Sequence, residues 1–279
     1  MILLNDEFKP YPIKSYHIND LKSLSRFYRY LVDRPSREYV NLTNILDTSF
    51  PELKPFFNND FSKTALYIIN NYLSADKISN LNSVSFEKIR KVSGYSFSFA
   101  KFTWLKELAK NTTGYCSIYI LKQLDFILQS IKVLTKQIDS LKSYLTKIIK
   151  KLNPPTLSIR GVGYLSALSI VTEYGSFDNF DSPDKMLSFA WLEPRVIESG
   201  TLKKTGKMVK RGSPHLRETI MNSSTTFMIH NPVIYSYYHK KRLEGKSHRV
   251  ALTHVAKKLV RIIYHLEKNN IKFDSDKLR

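Results

Sequence analysis

Residues 120–152 read ILKQLDFILQSIKVLTKQIDSLKSYLTKIIKKL, and their periodicity sets the fold class. Ile120, Leu124, Ile127, Ile131, Leu134, Ile138, Leu141, Leu145, Ile148 and Leu152 alternate four- and three-residue steps, which draws one apolar seam along a single helix, as in a coiled coil. Pro154-Pro155 ends it, because proline lacks an amide proton and clashes with the preceding turn. Such a stripe must be buried, either on a second subunit or on an earlier helix within 20–46 folded back against it. The seam outlasts an ordinary globular helix, so a homodimer or higher oligomer through 120–152 is the expectation. The stripe implies no cofactor, and Lys132, Lys136, Lys142, Lys147, Lys150 and Lys151 keep its outer side basic.

Upstream the chain is also helical. Residues 1–19 carry Pro10 and Pro12 without periodicity and read as an extended leader. Leu21, Leu24, Tyr28 and Leu31 mark a helix that Pro35 should kink or break before Tyr39, Leu42 and Leu46 resume the spacing. Arg26, Arg29, Arg34 and Arg37 ride on it, as a solvated face or along a nucleic-acid backbone. Phe50-Pro51-Glu52 opens an aromatic loop with a packing role. Short helices follow near 62–71, 75–81, 83–92 and 96–110, each opened near a serine or aspartate able to cap it. The predicted organisation is a leader over 1–19, a helical lobe over 20–114, a coiled-coil helix over 115–153, a C-terminal domain over 154–270 and a tail over 271–279.

Charge narrows the function. The 279 residues hold 44 Lys and Arg against 24 Asp and Glu, a net charge of +20 with pI near 9.8. Such an excess in a chain with 42% hydrophobic residues points to a polyanionic partner, most simply nucleic acid. No apolar run reaches the length that spans a bilayer, so no membrane partner is expected. The single cysteine, Cys116, excludes an internal disulfide and a cysteine-based zinc site, and with no secretory signal the expected location is cytoplasmic. The histidines lack ligand spacing, so no metal site is assigned.

Residues 157–217 carry the candidate chemistry. Arg160-Gly161-Val162-Gly163 ahead of the apolar run 165–171 reads as the turn of a helix-hairpin-helix, where glycines admit a phosphate to free amides at a helix start; ordinary turn chemistry explains the same pattern. Ser199-Gly200 is followed by Lys203, Lys204, Lys207, Lys210 and Arg211, with no acidic residue before Arg217. That loop would neutralise a phosphodiester and set a hydroxyl beside it, as serine attack on DNA requires; a solvated basic turn is the plainer alternative. A short β-hairpin is expected within 200–209. Ser182-Pro183 and Ser213-Pro214 each start a helix, and the last long helix, near 247–268, turns Lys257 and Lys258 outward toward nucleic acid.

These motifs keep an order. Gly161-Val162-Gly163, Glu173-Tyr174-Gly175, Phe189-Ala190-x-Leu192-Glu193-Pro194, Ser199-Gly200, Val209-Lys210-Arg211-Gly212, His230-Asn231-Pro232 and Gly245-Lys246-x-His248 together resemble the insertion-sequence transposases related to Piv-type DNA invertases. In that family an amino-terminal DEDD nuclease-like domain works with a bridge RNA and a carboxy-terminal serine domain. The resemblance implies a DNA transposase or site-specific recombinase that exchanges strands through a Ser199–phosphodiester intermediate. It implies DNA and a guide RNA as partners, with Arg160, Gly161, Gly163, Lys203, Lys204, Lys207, Lys210, Arg211, Arg217, Lys257 and Lys258 on nucleic acid. Mg2+ is implied for the nuclease-like domain only. The early acids Asp6, Glu7 and Asp20 do not sit in that domain's motifs, so the expectation is a chain lacking most of it, and the alternative is a catalytically incomplete fragment that occupies transposon ends or pairs with a full-length transposase. Two positions depart from the pattern: Arg160 replaces a proline, and Trp191 replaces a glycine in a tight turn.

Overall fold

The computed structural model describes residues 16–278 except 59, 193, 200–201 and 209–211, with the backbone alone described at 16, 194–199 and 202–208. It is mainly α, with thirteen α-helices among the described residues: α1 Tyr16–Asp33, α2 Pro35–Ser49, α3 Leu53–Phe56, α4 Lys63–Tyr72, α5 Ala75–Ser79, α6 Ser83–Val92, α7 Phe99–Lys110, α8 Ile118–Leu152, α9 Tyr164–Tyr174, α10 Pro183–Phe189, α11 Pro214–Ile229, α12 Pro232–Leu243 and α13 His248–Asn269. Two antiparallel strands, β1 Pro194–Ser199 and β2 Leu202–Met208, lie between α10 and α11. No helix is long and apolar enough to cross a membrane, among the described residues.

The chain divides into two compact units, Tyr30–Asp139 and Met1–Arg29 with Ser140–Arg279. In Tyr30–Asp139, Pro35 takes the first position of α2 and so ends α1. The side chains of Ser62, Ser74, Asn82 and Ser98 accept the first-turn amides of α4, α5, α6 and α7. Leu42, Ile68, Ile89, Leu105 and Leu124 are fully buried at the centre, each contributing about 1.5–3 kcal/mol of transfer free energy. Glu52 ties the loop before α3 to the segment after α7, accepting from Thr112 Oγ1 at 2.6 Å and from Thr113 N at 3.0 Å. Burial alone would raise its carboxyl, but the donors on Thr112 and Thr113 outweigh that and hold it below the ordinary range. Packing was the role expected of this loop; the carboxylate adds a polar staple.

The seam of α8 is covered from within the chain. Leu124 and Ile131 join the core of Tyr30–Asp139, and Leu145 joins the core of the other unit. Leu128 and Ile149, off the expected seam, are buried as well, while Leu152 is exposed. Within each unit the buried positions recur at three- and four-residue steps, Leu124, Leu128, Ile131 and Leu134 in one and Leu145 and Ile149 in the other, as the 3.6-residue period of a helix lying on a globular core requires.

In the second unit, α9, α10, α11 and α13 bury Leu168, Ile170, Met186, Leu216, Ile220, Phe227, Val255, Leu259 and Ile263 together. Tyr174 stands among Phe177, Phe180 and Phe189 with centroid distances of 5.6–5.8 Å, and its hydroxyl donates to Met186 O at 3.3 Å. Burial pushes that phenol far above its ordinary range. The 3₁₀ turn Pro155–Ser158 is anchored by Glu267 of α13, which accepts from Thr156 N at 2.7 Å and from Thr156 Oγ1. A 3₁₀ turn, and not an α-helix, thus leads into the Gly161–Gly163 turn.

Candidate functional site

The backbone around the motif segment has specific requirements. Gly161 has φ +97°, and a Cβ there would lie 2.6 Å from Phe227 N and 2.7 Å from Thr226 C. The turn is pressed on the backbone of α11, so glycine is needed both for its dihedral and for its missing side chain. Gly163 is the N-cap of α9 and offers no side chain to the first-turn amides; a Cβ there would meet nothing within 4 Å. Around this helix start stand exposed Arg160 and Tyr164, with Lys150 Nζ 4.9 Å from the Tyr164 ring centre.

Trp191 has φ +53° in the turn after α10. That is the left-handed region, which a glycine would enter freely and a tryptophan enters at a cost of about 1–2 kcal/mol. The Trp191 side chain fills the space above Gly212, where a Cβ would lie 1.5 Å from its Cδ1. Trp191 and Gly212 therefore fit as a pair across the base of the hairpin.

In the hairpin, Ser199 pairs with Leu202, Glu198 with Lys203 and Ile197 with Lys204, with an irregularity between Pro194 and Val196. The strands begin before Ser199, earlier than the hairpin expected within 200–209; Val196-Ile197 supplied a β-branched signal that motif reading passed over. The side chains of Ser199, Lys203, Lys204 and Lys207, and all of Lys210 and Arg211, lie outside the described residues.

Arg217, one turn into α11, is half-buried, and its Nη1 is enclosed with no hydrogen-bond partner among the described residues. On the α12–α13 face, Lys258 Nζ lies 4.2 Å and Lys241 Nζ 5.7 Å from the Tyr237 ring centre, with half-buried Lys257 on the same helix as Lys258. Tyr238 Oη and His248 Nδ1 are 2.7 Å apart. His254 is driven below its ordinary value by burial and then by Lys241, Lys257 and Lys246, while Glu244 opposes weakly. Burial is the larger cause, and the three lysines add to it.

Arg26 and Arg29, which sequence reading left between solvent and nucleic acid, are held by carboxylates. Arg26 donates from Nε to Glu173 Oε1 at 2.6 Å and from Nη2 to Oε2 at 2.9 Å, Lys22 Nζ lies 3.1 Å from the same carboxylate, and Arg29 pairs with Glu218. Burial would raise Glu173, but Arg26 and Lys22 hold it below the usual carboxylate range. These pairs bind α1 to α9 and α11 around a 130 Å³ cavity lined by Ser25, Ser166, Ser169, His215, Thr219 and Asn222, among others. Linear spacing gave no signal for them, since the partners are 147 and 189 positions apart. Among the described residues no cluster of His, Cys, Asp or Glu could hold a metal ion. A Mg2+ of the kind the resemblance implies therefore finds no donor set among them.

Residues 156–239 match the family model described as "Transposase IS116/IS110/IS902 family". Over 124 residues the chain is 25% identical to "Insertion element IS110 uncharacterized 43.6 kDa protein" of Streptomyces coelicolor, an alignment covering 44% of this chain. The chain thus spans 31% of the length of that curated relative. The matched segment takes in α9, α10, the hairpin, α11 and the start of α12, so the likeness to this transposase family falls on the part of the chain that carries the candidate site.

Proposed function

We propose that this chain acts in transposition of an insertion sequence, as a DNA recombinase whose nucleophile is Ser199 and whose partners are DNA and a guide RNA. The observation that carries the reading is the match over 156–239, which encloses Ser199, the hairpin lysines, Lys210, Arg211 and Arg217. The RNA partner rests on the motif resemblance. Lys257 and Lys258 extend the cationic surface beyond the matched segment, and Arg160 with Lys150 supplies charge at the start of α9.

In the proposed step, Ser199 Oγ gives up its proton and bonds to a backbone phosphorus. The P–O bond to one sugar breaks, and that sugar oxygen takes a proton and leaves as a hydroxyl. The serine ester conserves the bond energy, so attack on it by a second sugar hydroxyl rejoins strands and restores Ser199 without ATP. The lysines and arginines bind and orient the phosphates and offset charge that develops on their oxygens. Residues of this chain are assigned no metal-dependent step. Support for self-association, also part of this reading, comes from Tyr119, Phe126 and Val133, exposed at seven-residue intervals along α8.

Incubation with end-labelled transposon-end DNA and guide RNA, followed by denaturing electrophoresis, tests the chemistry. The expected result is labelled DNA covalently attached to the protein, absent in Ser199→Ala while binding persists. Equal adduct in Ser199→Ala removes the serine assignment. Salt-dependent binding with no adduct in either protein leaves a nucleic-acid-binding chain without strand-transfer activity.

A further inference from the structure

Within Tyr30–Asp139, positive charge and exposed rings coincide on one element pair. Residues 83–110, spanning α6 and α7, carry six lysines and arginines against two glutamates, whereas the rest of Tyr30–Asp139 carries eight of each sign. The unit's whole cationic excess therefore lies on α6, α7 and the turn between them.

The same stretch builds a continuous ladder of rings and cations. Arg90 Cζ is 5.4 Å from the Tyr95 ring centre and 6.0 Å from that of Phe86. Phe86 meets Phe99 edge-on at 5.4 Å and Phe102 at 5.1 Å, and Lys106 Nζ sits 5.7 Å from Phe102. Glu87 lies 3.5 Å from Arg90 and steadies the guanidinium. Phe102 is buried and roots the ladder in the core, yet its outer rings are open: Tyr95 is 63% and Phe99 65% exposed.

Tyr95 is also held in a strained backbone. Gly94 has φ +62° and Tyr95 φ +65°, and Tyr95 N donates to Arg90 O at 2.8 Å, fixing the turn. A left-handed tyrosine is an outlier, and here no burial of the ring offsets the cost. Asparagine or glycine would hold the same turn with less strain. The residue in place is the one that adds an aromatic face beside Arg90.

From these observations we infer that the α6–α7 ladder is a stacking platform for unpaired nucleic acid, whose bases lie on Tyr95 and Phe99 while Arg90, Lys91 and their neighbours neutralise its phosphates. Net positive charge favours a polyanion over an apolar protein partner, and exposed π-faces serve a strand whose bases are free to unstack. The platform belongs to Tyr30–Asp139, outside the transposase-family match, and does not depend on the role of Ser199.

The test uses the full chain and a short oligothymidine carrying 5-iodouracil, photocross-linked and mapped by mass spectrometry, with binding measured by fluorescence anisotropy over a range of salt. Adducts on Tyr95 or Phe99 are expected. Tyr95→Asn and Phe99→Ser should each weaken single-strand binding roughly 5- to 150-fold at every salt concentration. They should leave the salt slope and duplex binding unchanged, because no charge is removed. Arg90→Gln should reduce the slope by about 0.7. Tyr95→Asn should match or exceed the parent in thermal midpoint, which separates lost stacking from lost folding. Cross-links confined to residues outside 83–110, wild-type single-strand affinity in both ring variants, or an equal loss of duplex binding would overturn the inference. A missing Ser199 adduct would leave it intact.

Discussion

Replacing Arg26 by methionine keeps most of the side-chain stem but strips the bidentate partner from Glu173. The carboxylate is 2% exposed and Arg26 is 43% exposed. A fully exposed pair contributes about 0–1 kcal/mol, and removing one partner from a fully buried pair costs about 3–5 kcal/mol. One buried carboxylate facing a half-open guanidinium falls between these limits, at about 2 kcal/mol, since Lys22 remains at 3.1 Å to hold part of the charge. For a unit of this size that corresponds to a fall in Tm of about 4–8 °C. The pH dependence gives a sharper check. Glu173 titrates below its ordinary value in the native state, so its contribution is full above about pH 5 and fades as pH falls through the depressed value. The deficit of Arg26→Met relative to the parent should therefore shrink in acid, and Arg26→Met with Glu173→Gln should be less destabilised than the two single changes summed. Thermal melts from neutral to acid pH measure both. A deficit that is the same at every pH, together with additive single changes, would refute the argument that the ion pair anchors α1.

Two further outcomes follow from the same geometry. Gly161→Ala should lower stability by about 2 kcal/mol or more, because the new Cβ meets immovable backbone of α11; a denaturant midpoint equal to the parent's would mean the turn does not rest there. His254 should titrate higher when nucleic acid binds, because phosphates cancel the field of Lys241, Lys257 and Lys246 that adds to burial in holding it down. Binding should then take up a proton and tighten as pH falls through the His254 range. NMR titration of His254 with and without DNA reads this directly, and an unmoved pKa would take the α12–α13 face out of the interface.

Much was legible locally. Helix caps at Ser62, Ser74 and Ser98, the break at Pro35 and the end of α8 before Pro154 depend on single residues acting on adjacent amides, so linear reading reaches them. The departure at Trp191, flagged by motif comparison alone, falls where the backbone enters the left-handed region and where Gly212 makes room for the ring. The ladder on α6 and α7 was missed because Phe86, Arg90, Tyr95 and Phe99 look like ordinary helix and turn residues until two helices bring them side by side.

What the linear chain determined by itself is its helical character, its net positive charge and the order of its motifs, because periodicity, formal charge and residue identity need no partner. Tertiary structure alone decided which arginines are free. Arg26 and Arg29 carry the same charge as any other arginine, but folding sets Glu173 and Glu218 against them and leaves Arg217 with an enclosed nitrogen and no acceptor among the described residues. Tertiary structure likewise split the α8 stripe between two cores, since burial depends on what a helix face meets and not on the spacing that creates the face.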